Sequence, residues 1–222
     1  YNILIEKQCN KRMYIYIKRL FFIIVALLSL LLFVPISILV KISFLSLKDK
    51  GGIFFKQERI GKDGIPFVIY KYRSMVHNAD ELLEEMLKDE KYKNAWDESQ
   101  KIENDPRITK IGKYLRISSL DELPQVFNIF VGQMSIVGPR PALWNQYDLI
   151  AERDLYGAND IRPGLSGWAQ CHGRDTLPIP EKAALDGYYV QKFNIWMDIK
   201  IVFLTAIQAF VGKDEVEGTS GK

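Results

Sequence analysis

Residues 20–40 form an unbroken run of 21 uncharged and largely apolar amino acids, LFFIIVALLSLLLFVPISILV. Folded as an α-helix, the run is about 31 Å long at about 1.5 Å per residue, enough to cross the hydrocarbon core of a bilayer. A secretory signal peptide is the alternative. However, the run is longer than the apolar region of such peptides, and the following KISFLSLKDK offers no small-residue cleavage site. The sequence therefore predicts a helix that meets lipid.

The charges around this run bear on how the helix meets the membrane. Residues 1–50 hold eight Lys/Arg and two Asp/Glu, a net charge of +6, whereas the rest of the chain holds 22 and 25, a net charge of −3. Both flanks are basic, and positive residues favour the cytoplasmic side. Pro35 lies inside the run and favours a kink. A helix that bends at Pro35 and returns to its own face satisfies both facts, and a straight single-pass anchor with a tolerated proline is the other interpretation.

Composition excludes several classes of protein. With 48% hydrophobic and 12% aromatic residues, the chain is not a disordered tail. The two cysteines, Cys9 and Cys171, are far apart with no C-x-x-C, and only two histidines occur, which argues against a disulfide scaffold or a zinc site. Because the basic excess lies in the N-terminal segment, it indicates a membrane surface and not nucleic acid as the partner. The sequence contains no P-loop, dinucleotide-binding, zincin or nucleophile-elbow motif.

Residue patterns after the apolar run predict a series of short elements. The Gly-Lys-Asp-Gly turn at 61–64, between two segments rich in β-branched and aromatic residues, predicts a hairpin over 53–75. Asn78 and Glu81 resemble a capping box that opens one charged helix over 79–99. Further helices or turns are predicted over 108–115 and 118–130. The Gly- and Pro-rich segment 132–180 is expected to be irregular.

The last predicted helix, over residues 193–211, has an unusual composition. Its polar residues Asn194, Asp198, Thr205 and Gln208 fall in one narrow stripe at helical period, with Lys200 outside it, and nearly all other positions are apolar. A helix of this kind is either buried or lies in a membrane interface. Given the apolar run at 20–40, we expect partial membrane contact.

The most suggestive chemistry lies in Arg116-Ile-Ser-Ser-Leu-Asp121-Glu122. Ser119 and Glu122 fit S-x-x-E, so Asp121 and Glu122 are predicted in the first turn of a helix. Acidic residues there are ordinary complements to the helix dipole, which is the simplest explanation. The alternative is functional: an Asp carboxylate beside an arginine and a helix N-terminus can bind Mg²⁺ or attack a phosphorus atom.

Basic residues elsewhere are candidates for a phosphate clamp. Gly138-Pro-Arg140-Pro presents an arginine on a stiff backbone, and Arg174 ends another glycine-rich stretch. Lys71 and Arg73 follow an apolar strand and are weaker candidates. Exposed loop arginines are more often merely solvated, so these residues alone do not establish a site.

Four blocks of the sequence resemble the bacterial sugar transferases, also called polyprenyl-phosphate hexose-1-phosphate transferases or monotopic phosphoglycosyl transferases. The blocks are IFFKQERIGKDGIPFVIYKYRSM (53–75), DPRITKIGKYLRISSLDELPQVFNIFVGQMSIVGPRP (105–141), IRPGLSGWAQCHGR (161–174) and LDGYYVQKFNIWMDIKIVFLT (185–205). With the membrane segment, they cover nearly the whole chain in the order found in the family.

The resemblance implies transfer of a sugar-1-phosphate from a UDP-sugar to undecaprenyl phosphate, giving undecaprenyl-diphosphate-sugar and UMP. The family uses an Asp-Glu dyad, Mg²⁺ and a covalent phosphosugar on the Asp. The dyad maps onto Asp121 and Glu122, with Asp121 as the expected metal ligand. Arg116, Arg140, Arg174, Lys71 and Arg73 are the expected substrate contacts. The implied setting is the cytoplasmic membrane, in the priming step of exopolysaccharide, capsule or other glycoconjugate synthesis.

The resemblance also implies an architecture. We expect an α+β membrane-associated fold with a kinked re-entrant helix, a small hairpin, several amphipathic helices and Gly/Pro-rich loops. A tail and membrane helix over 1–45 would precede a cytosolic catalytic domain over 46–222. The family often has Ser directly before the kink proline, whereas this chain has Val34 there and Ser37 after it. The carbonyls freed at the bend are therefore expected to find other partners.

Two other functional classes remain open from the sequence. A membrane-tethered interaction domain would use Asp121 and Glu122 only as helix caps, and a glycosyltransferase would pass sugar without phosphate. The sequence also leaves open whether the protein forms a homodimer. The sugar pocket has no readable signature, so the sequence does not identify the sugar.

Overall fold

The computed structural model describes residues 2–46, 51–99, 102, 104–173 and 177–211. The helices in these ranges are α1 Asn2–Ser46, α2 Ala79–Met86, α3 Glu90–Ser99, α4 Lys110–Ile117, α5 Val126–Val131, α6 Tyr147–Asp154, α7 Trp168–Cys171, α8 Ile179–Lys192 and α9 Ile195–Val211. The strands are β1 Phe54–Ile60, β2 Pro66–Tyr72, β3 Ser135–Val137 and β4 Gly164–Ser166. This mixture of helices and two small sheets confirms the α+β fold class.

The chain forms two compact units. The first comprises Tyr1–Leu32, Lys56–Tyr70 and Gln125–Ile207, and the second comprises Phe33–Phe55, Lys71–Pro124 and Gln208–Lys222. Helix α1 contributes its N-terminal part to the first unit and its C-terminal part to the second. The domain boundary predicted between residues 45 and 46 stays a prediction.

Helix α1 extends beyond the predicted apolar run and carries Pro35 inside it. Its segment Met13–Ser46 is long and apolar enough to cross a membrane, and only 11% of its most apolar window is buried by protein. The core helix of a soluble protein would be covered by its neighbours, whereas most of this helix presents leucine, isoleucine and phenylalanine outwards. The length and the exposed apolar surface of this helix support the predicted membrane association. The re-entrant course of the helix stays a prediction.

The hairpin of β1 and β2 is confirmed. The two strands form one sheet, and Lys62–Gly64 between them is a short 3-10 helix in which Asp63 has a φ of 57°. Asp tolerates the left-handed region better than most residues, and Gly64 follows with a φ of 74°. The Gly-Lys-Asp-Gly sequence therefore supplies the backbone conformations that this connection needs.

The single helix predicted over 79–99 is wrong, because α2 and α3 are separated at Leu87–Asp89. Asn78 precedes α2 but makes no side-chain capping bond. Asp89 instead accepts a hydrogen bond from the backbone N–H of Lys91 at 2.9 Å, so it caps α3 and starts a second helix. The capping residue in the middle of the charged segment was the signal that the sequence analysis missed.

The segment 132–180 is also more ordered than predicted. Strands β3 and β4 pair in parallel, with Ser135 opposite Gly164 and Val137 opposite Ser166, and α6 and α7 lie in the same segment. A side chain at 164 would meet the backbone of Gly138 at 2.1 Å, so this close pairing requires glycine. In this segment, glycine was expected to mark a loop, but Gly164 instead allows β4 to lie close to β3.

Each unit has its own apolar core. In the first unit, Phe22 and Ala26 of α1 pack with residues of β2, α5, α8 and α9, among them Ile69, Ile129 and Ile201. In the second unit, Val40 and Phe44 of α1 pack with Tyr72 and Leu115. Both halves of α1 are thus buried on one side against residues from later in the chain.

Helix α9 turns Asp198 inwards and most of its apolar surface outwards. Asp198 is only 4% exposed, and its carboxylate bonds the side chains of Tyr14, Lys18 and Tyr189. On the outer surface, Trp196 is 77% exposed; the other exposed apolar side chains are Ile195, Ile199, Val202, Phe203 and Ile207. This arrangement is the reverse of a water-facing helix and favours contact with lipid, as expected from the sequence.

Candidate active site

The candidate site in the second unit is built where α4 approaches the end of β2. Thr109 caps α4 by accepting a hydrogen bond from the N–H of Gly112 at 2.9 Å, and its own N–H donates to the carbonyl of Ser74 at 3.0 Å. A side chain at Gly112 would begin 1.8 Å from that carbonyl. Glycine at 112 therefore allows α4 to lie directly against the segment that follows β2.

This close approach positions Arg116. One turn beyond Gly112, the Nε of Arg116 donates to the hydroxyl of Ser74 at 2.8 Å. Ser74 is buried and Arg116 is half-buried, so the guanidinium is oriented by the protein and still reaches the surface. Ser74 is a residue that the sequence analysis missed, because its partner lies 42 positions away.

Asp121 and Glu122 lie in the first turn of a helix, as predicted, and this turn belongs to the 3-10 helix Leu120–Gln125. The backbone reverses just before them: Ser119 has a φ of 54°, a conformation that costs a non-glycine residue about 1–2 kcal/mol. The 3-10 helix leads directly into α5. The anion-binding role expected for this helix start stays a prediction.

Lys71 contacts the dyad directly. Its Nζ lies 3.0 Å from Oε1 of Glu122, and the two side chains are 13% and 18% exposed. Lys71 was predicted as a weak phosphate contact. The structure gives it a protein partner, which makes it an electrostatic support for Glu122 as well.

Arg73 contacts two backbone carbonyls and an aromatic ring. Its Nε donates to the carbonyl of Gly52 at 2.6 Å, its Nη1 donates to the carbonyl of Met75 at 3.0 Å, and its guanidinium carbon lies 4.2 Å from the centre of the Phe44 ring. These contacts fix the exit of β2 against α1 in the second unit. Arg73 therefore has a structural role, and its contact with substrate stays a prediction.

Arg140 belongs to the first unit, where its loop is fastened by a buried ion pair. The Nη1 of Arg153 donates to the carbonyl of Arg140 at 2.9 Å, and its Nε donates to Asp186 at 2.8 Å. Arg153 and Asp186 are both buried and were not identified from the sequence, where a charged residue on an amphipathic helix gives no sign of its partner. Arg174 lies outside the described residues.

The residues present are compatible with Mg²⁺. No group of three or more His, Cys, Asp or Glu side chains able to hold a metal occurs in the described part of the chain. Mg²⁺ does not require such a cage, because it is often bound by one or two carboxylates together with substrate phosphates and water. The adjacent carboxylates of Asp121 and Glu122, both half-buried and open to solvent on one side, match that donor set.

Comparison with known proteins assigns the chain to a family. Residues 13–212 match the family described as bacterial sugar transferase. The chain is 36% identical over 203 residues to the undecaprenyl-phosphate galactose phosphotransferase of Salmonella typhimurium, covering 91% of this chain and 42% of that protein. It is 39% identical over 206 residues to the UDP-glucose:undecaprenyl-phosphate glucose-1-phosphate transferase of Escherichia coli, covering 89% and 41%.

A shorter relative is matched over most of its own length. The exopolysaccharide production protein ExoY of Rhizobium meliloti is 38% identical over 190 residues, which cover 85% of this chain and 83% of that protein. The chain thus spans about two fifths of the longer curated relatives but most of the shorter one. The match extends from α1 through α9 and includes the dyad segment. The chain belongs to the bacterial sugar transferase family.

Proposed function

We propose that this protein transfers a sugar-1-phosphate from a UDP-sugar to undecaprenyl phosphate and releases UMP. The observation that carries the proposal is the pair Asp121 and Glu122, supported by Lys71 at 3.0 Å and preceded by Arg116 on α4. Two carboxylates with nearby cations suit phosphoryl transfer, which depends on positioning and on charge stabilisation. The names of the Salmonella and Escherichia relatives describe this class of reaction.

The reaction proceeds in two displacements. A carboxylate oxygen of Asp121 attacks the sugar-bearing phosphorus of the donor, an O–P bond forms, and the bond to the uridine-bearing phosphate breaks to release UMP. A phosphate oxygen of the lipid then attacks the same phosphorus, and the bond to Asp121 breaks. The product is a lipid diphosphate sugar, and the carboxylate of Asp121 is regenerated. A simple glycosyl transfer would instead break the bond between the sugar and the diphosphate and release UDP.

The chain's own residues have separate roles in this scheme. Lys71 holds Glu122 beside the nucleophile, and Ser74 orients the guanidinium of Arg116 toward donor phosphate. Arg140 is proposed as a second phosphate contact, carried on the loop that Arg153 fastens. Asp121, assisted by Glu122, would hold Mg²⁺, which when bound offsets the charge of the donor diphosphate.

We further propose that the globular part faces the cytosol and that α1 returns to its own leaflet. The basic flanks and Pro35 support this topology.

The released nucleotide tests the reaction. Purified protein is supplied with a panel of UDP-sugars and undecaprenyl phosphate, and the products are separated by chromatography. UMP together with a lipid diphosphate sugar is expected, in an amount that EDTA abolishes and Mg²⁺ restores. UDP release would identify a glycosyltransferase, and no turnover with any donor would favour an interaction domain. The panel also identifies the sugar.

A further inference from the structure

The turn of α1 around Pro35 is the weakest point of a long apolar helix. Proline has no N–H to donate to the carbonyl of Leu31, and its ring crowds that carbonyl. In lipid, no water is available to compensate lost backbone hydrogen bonds. A side chain from elsewhere in the chain that supplies polar contacts to this turn therefore has a large effect on its geometry.

Tyr72 supplies such contacts. Its hydroxyl donates to the carbonyl of Phe33 at 3.2 Å and lies 2.6 Å from the hydroxyl of Ser37. Since the single proton of Tyr72 is given to Phe33, Ser37 is the donor in the second bond. A helical serine commonly bonds the carbonyl four residues earlier, which for Ser37 is that of Phe33. Here the hydroxyl of Tyr72 lies within hydrogen-bond distance of both groups.

The ring of Tyr72 is held as firmly as its hydroxyl. It stacks on Phe33 with ring centres 6.0 Å apart and on Phe54 with ring centres 5.7 Å apart, and the residue is 1% exposed. Burial raises the pKa of Tyr72 above its ordinary value, so the hydroxyl keeps its proton at neutral pH. The hydroxyl of Tyr72 is therefore a constant hydrogen-bond donor to the Pro35 turn and does not switch with pH near neutrality.

Strand β2 connects the Tyr72 contact with the dyad, because Tyr72 and the residue that binds Glu122 are neighbours in this strand. Tyr72 follows Lys71, whose Nζ is bound to Glu122. Successive side chains of a strand point in opposite directions, so one residue faces α1 and its neighbour faces the catalytic pair. We propose that Tyr72 is a positioning residue: it locks α1 at its Pro35 turn to the strand that holds Glu122, and so fixes the dyad relative to the lipid from which the acceptor arrives.

This inference has two parts, of which only one rests on the proposed function. The structural part is that Tyr72 and Ser37 stabilise the Pro35 turn. The functional part is that this lock serves the lipid acceptor and not the water-soluble donor. Loss of the lock should therefore raise KM for undecaprenyl phosphate and leave KM for the UDP-sugar unchanged. A general loss of folded protein would instead lower kcat and move neither KM.

Hydrogen exchange in detergent or nanodiscs tests the structural part with Tyr72→Phe, which keeps the stacked ring and removes only the hydroxyl. Exchange of the amides at 36–39 should become about two- to tenfold faster, the factor expected for the loss of one hydrogen bond. Ser37→Ala should act in the same direction, and the double variant should be less than additive because Ser37 acts through Tyr72.

Two matched variants control for the loss of a hydroxyl. Ser29→Ala removes a serine of α1 that bonds its own helix, at the carbonyl of Val25, and Tyr70→Phe makes the same change earlier in β2. In both variants, the backbone amides of residues 36–39 should exchange at the wild-type rate. Unchanged exchange in Tyr72→Phe would overturn the lock, whatever the activity.

Steady-state kinetics on the same variants test the functional part. We expect a KM for undecaprenyl phosphate that is raised several-fold in Tyr72→Phe, with the KM for donor within error of the wild type. If the KM for undecaprenyl phosphate is the same in Tyr72→Phe as in the wild type, the positioning role is overturned. A wild-type protein that transfers no sugar phosphate would refute the proposed function and leave the exchange result to decide on the lock.

Discussion

Lys71 and Glu122 form an ion pair, 3.0 Å between Nζ and Oε1, that joins the end of β2 to the 3-10 helix of the dyad. Both side chains are less than one fifth exposed, so the pair lies between a solvated surface pair and a fully buried one. Removing one partner leaves a poorly hydrated charge behind. Glu122 consequently depends on Lys71 for its orientation and for its electrostatic environment.

Replacing Lys71 with methionine should therefore reduce both stability and activity. We expect the free energy of unfolding to fall by about 1–3 kcal/mol, between the values for exposed and buried pairs, and kcat to fall at least about tenfold. Denaturant unfolding and UMP release measure the two effects. Lys62→Met is the matched control, because its pair with Asp63 is exposed. Full activity in Lys71→Met would show that Glu122 needs no support from this lysine.

Asp121→Asn should abolish turnover without unfolding the protein. Asn is close in shape to Asp but is not a nucleophile toward phosphorus. In wild-type protein without acceptor, a donor labelled on the sugar-bearing phosphate should leave label on the chain, and hydroxylamine should release it as expected for an acyl phosphate. Asp80→Asn, an exposed acidic residue of α2, is the control. Label on Asp121→Asn equal to the wild type would exclude Asp121 as the nucleophile.

Gly112→Ala should destabilise the second unit although alanine is the better helix former. The intrinsic gain of about 1 kcal/mol is outweighed because the new Cβ would lie 1.8 Å from the carbonyl of Ser74. We expect a net loss of about 2–3 kcal/mol and a loss of activity as Arg116 moves away from Ser74. Gly52→Ala, where nothing lies within 4 Å, provides the comparison. A stabilised Gly112→Ala variant would contradict the close approach of α4.

Protein stability should fall in alkali through Tyr189. Burial and the adjacent Asp198 raise the pKa of its hydroxyl from the ordinary value of 10.0; Lys18 and Tyr14 complete its surroundings. Above about pH 10 the unfolded chain releases this proton while the folded chain keeps it, so stability declines as pH rises, by at most about 1.4 kcal/mol per pH unit. Unfolding curves from pH 8 to 11 should show a smaller slope in Tyr189→Phe than in Tyr188→Phe.

The proposed topology places the N-terminus in the cytosol, and the native cysteine at position 9 is a probe for it. In a Cys171→Ser background, a membrane-impermeant maleimide applied to intact cells, or to spheroplasts where an outer membrane is present, should fail to label Cys9. Labelling should appear once the cells are opened. Efficient labelling of intact cells, with a cytosolic control protein unlabelled, would show instead that α1 spans the membrane.

The elements that could be predicted from the sequence are those whose signals are local. The hairpin follows from a turn sequence at 61–64, and the membrane helix follows from its composition. The β3–β4 pair could not be predicted, because each strand has three residues and their partners are 29 positions apart in register, Ser135 with Gly164. Asp121 and Glu122 are adjacent and lie in a recognisable motif, so they could be identified from the sequence. Ser74 could not, because Arg116, which it orients, lies 42 positions away.

The contact between the first and last helices has a consequence for synthesis of the protein. The hydroxyl of Tyr14 and the carboxylate of Asp198 are bonded across 184 positions of the chain. A ribosome that adds about 5–20 residues per second needs roughly ten to forty seconds to make the partner of a residue that has already emerged. During that interval the polar side chains at the start of α1 lack their partner at the edge of an apolar helix. That part of α1 therefore stays without this partner until the residues of α9 have been synthesised.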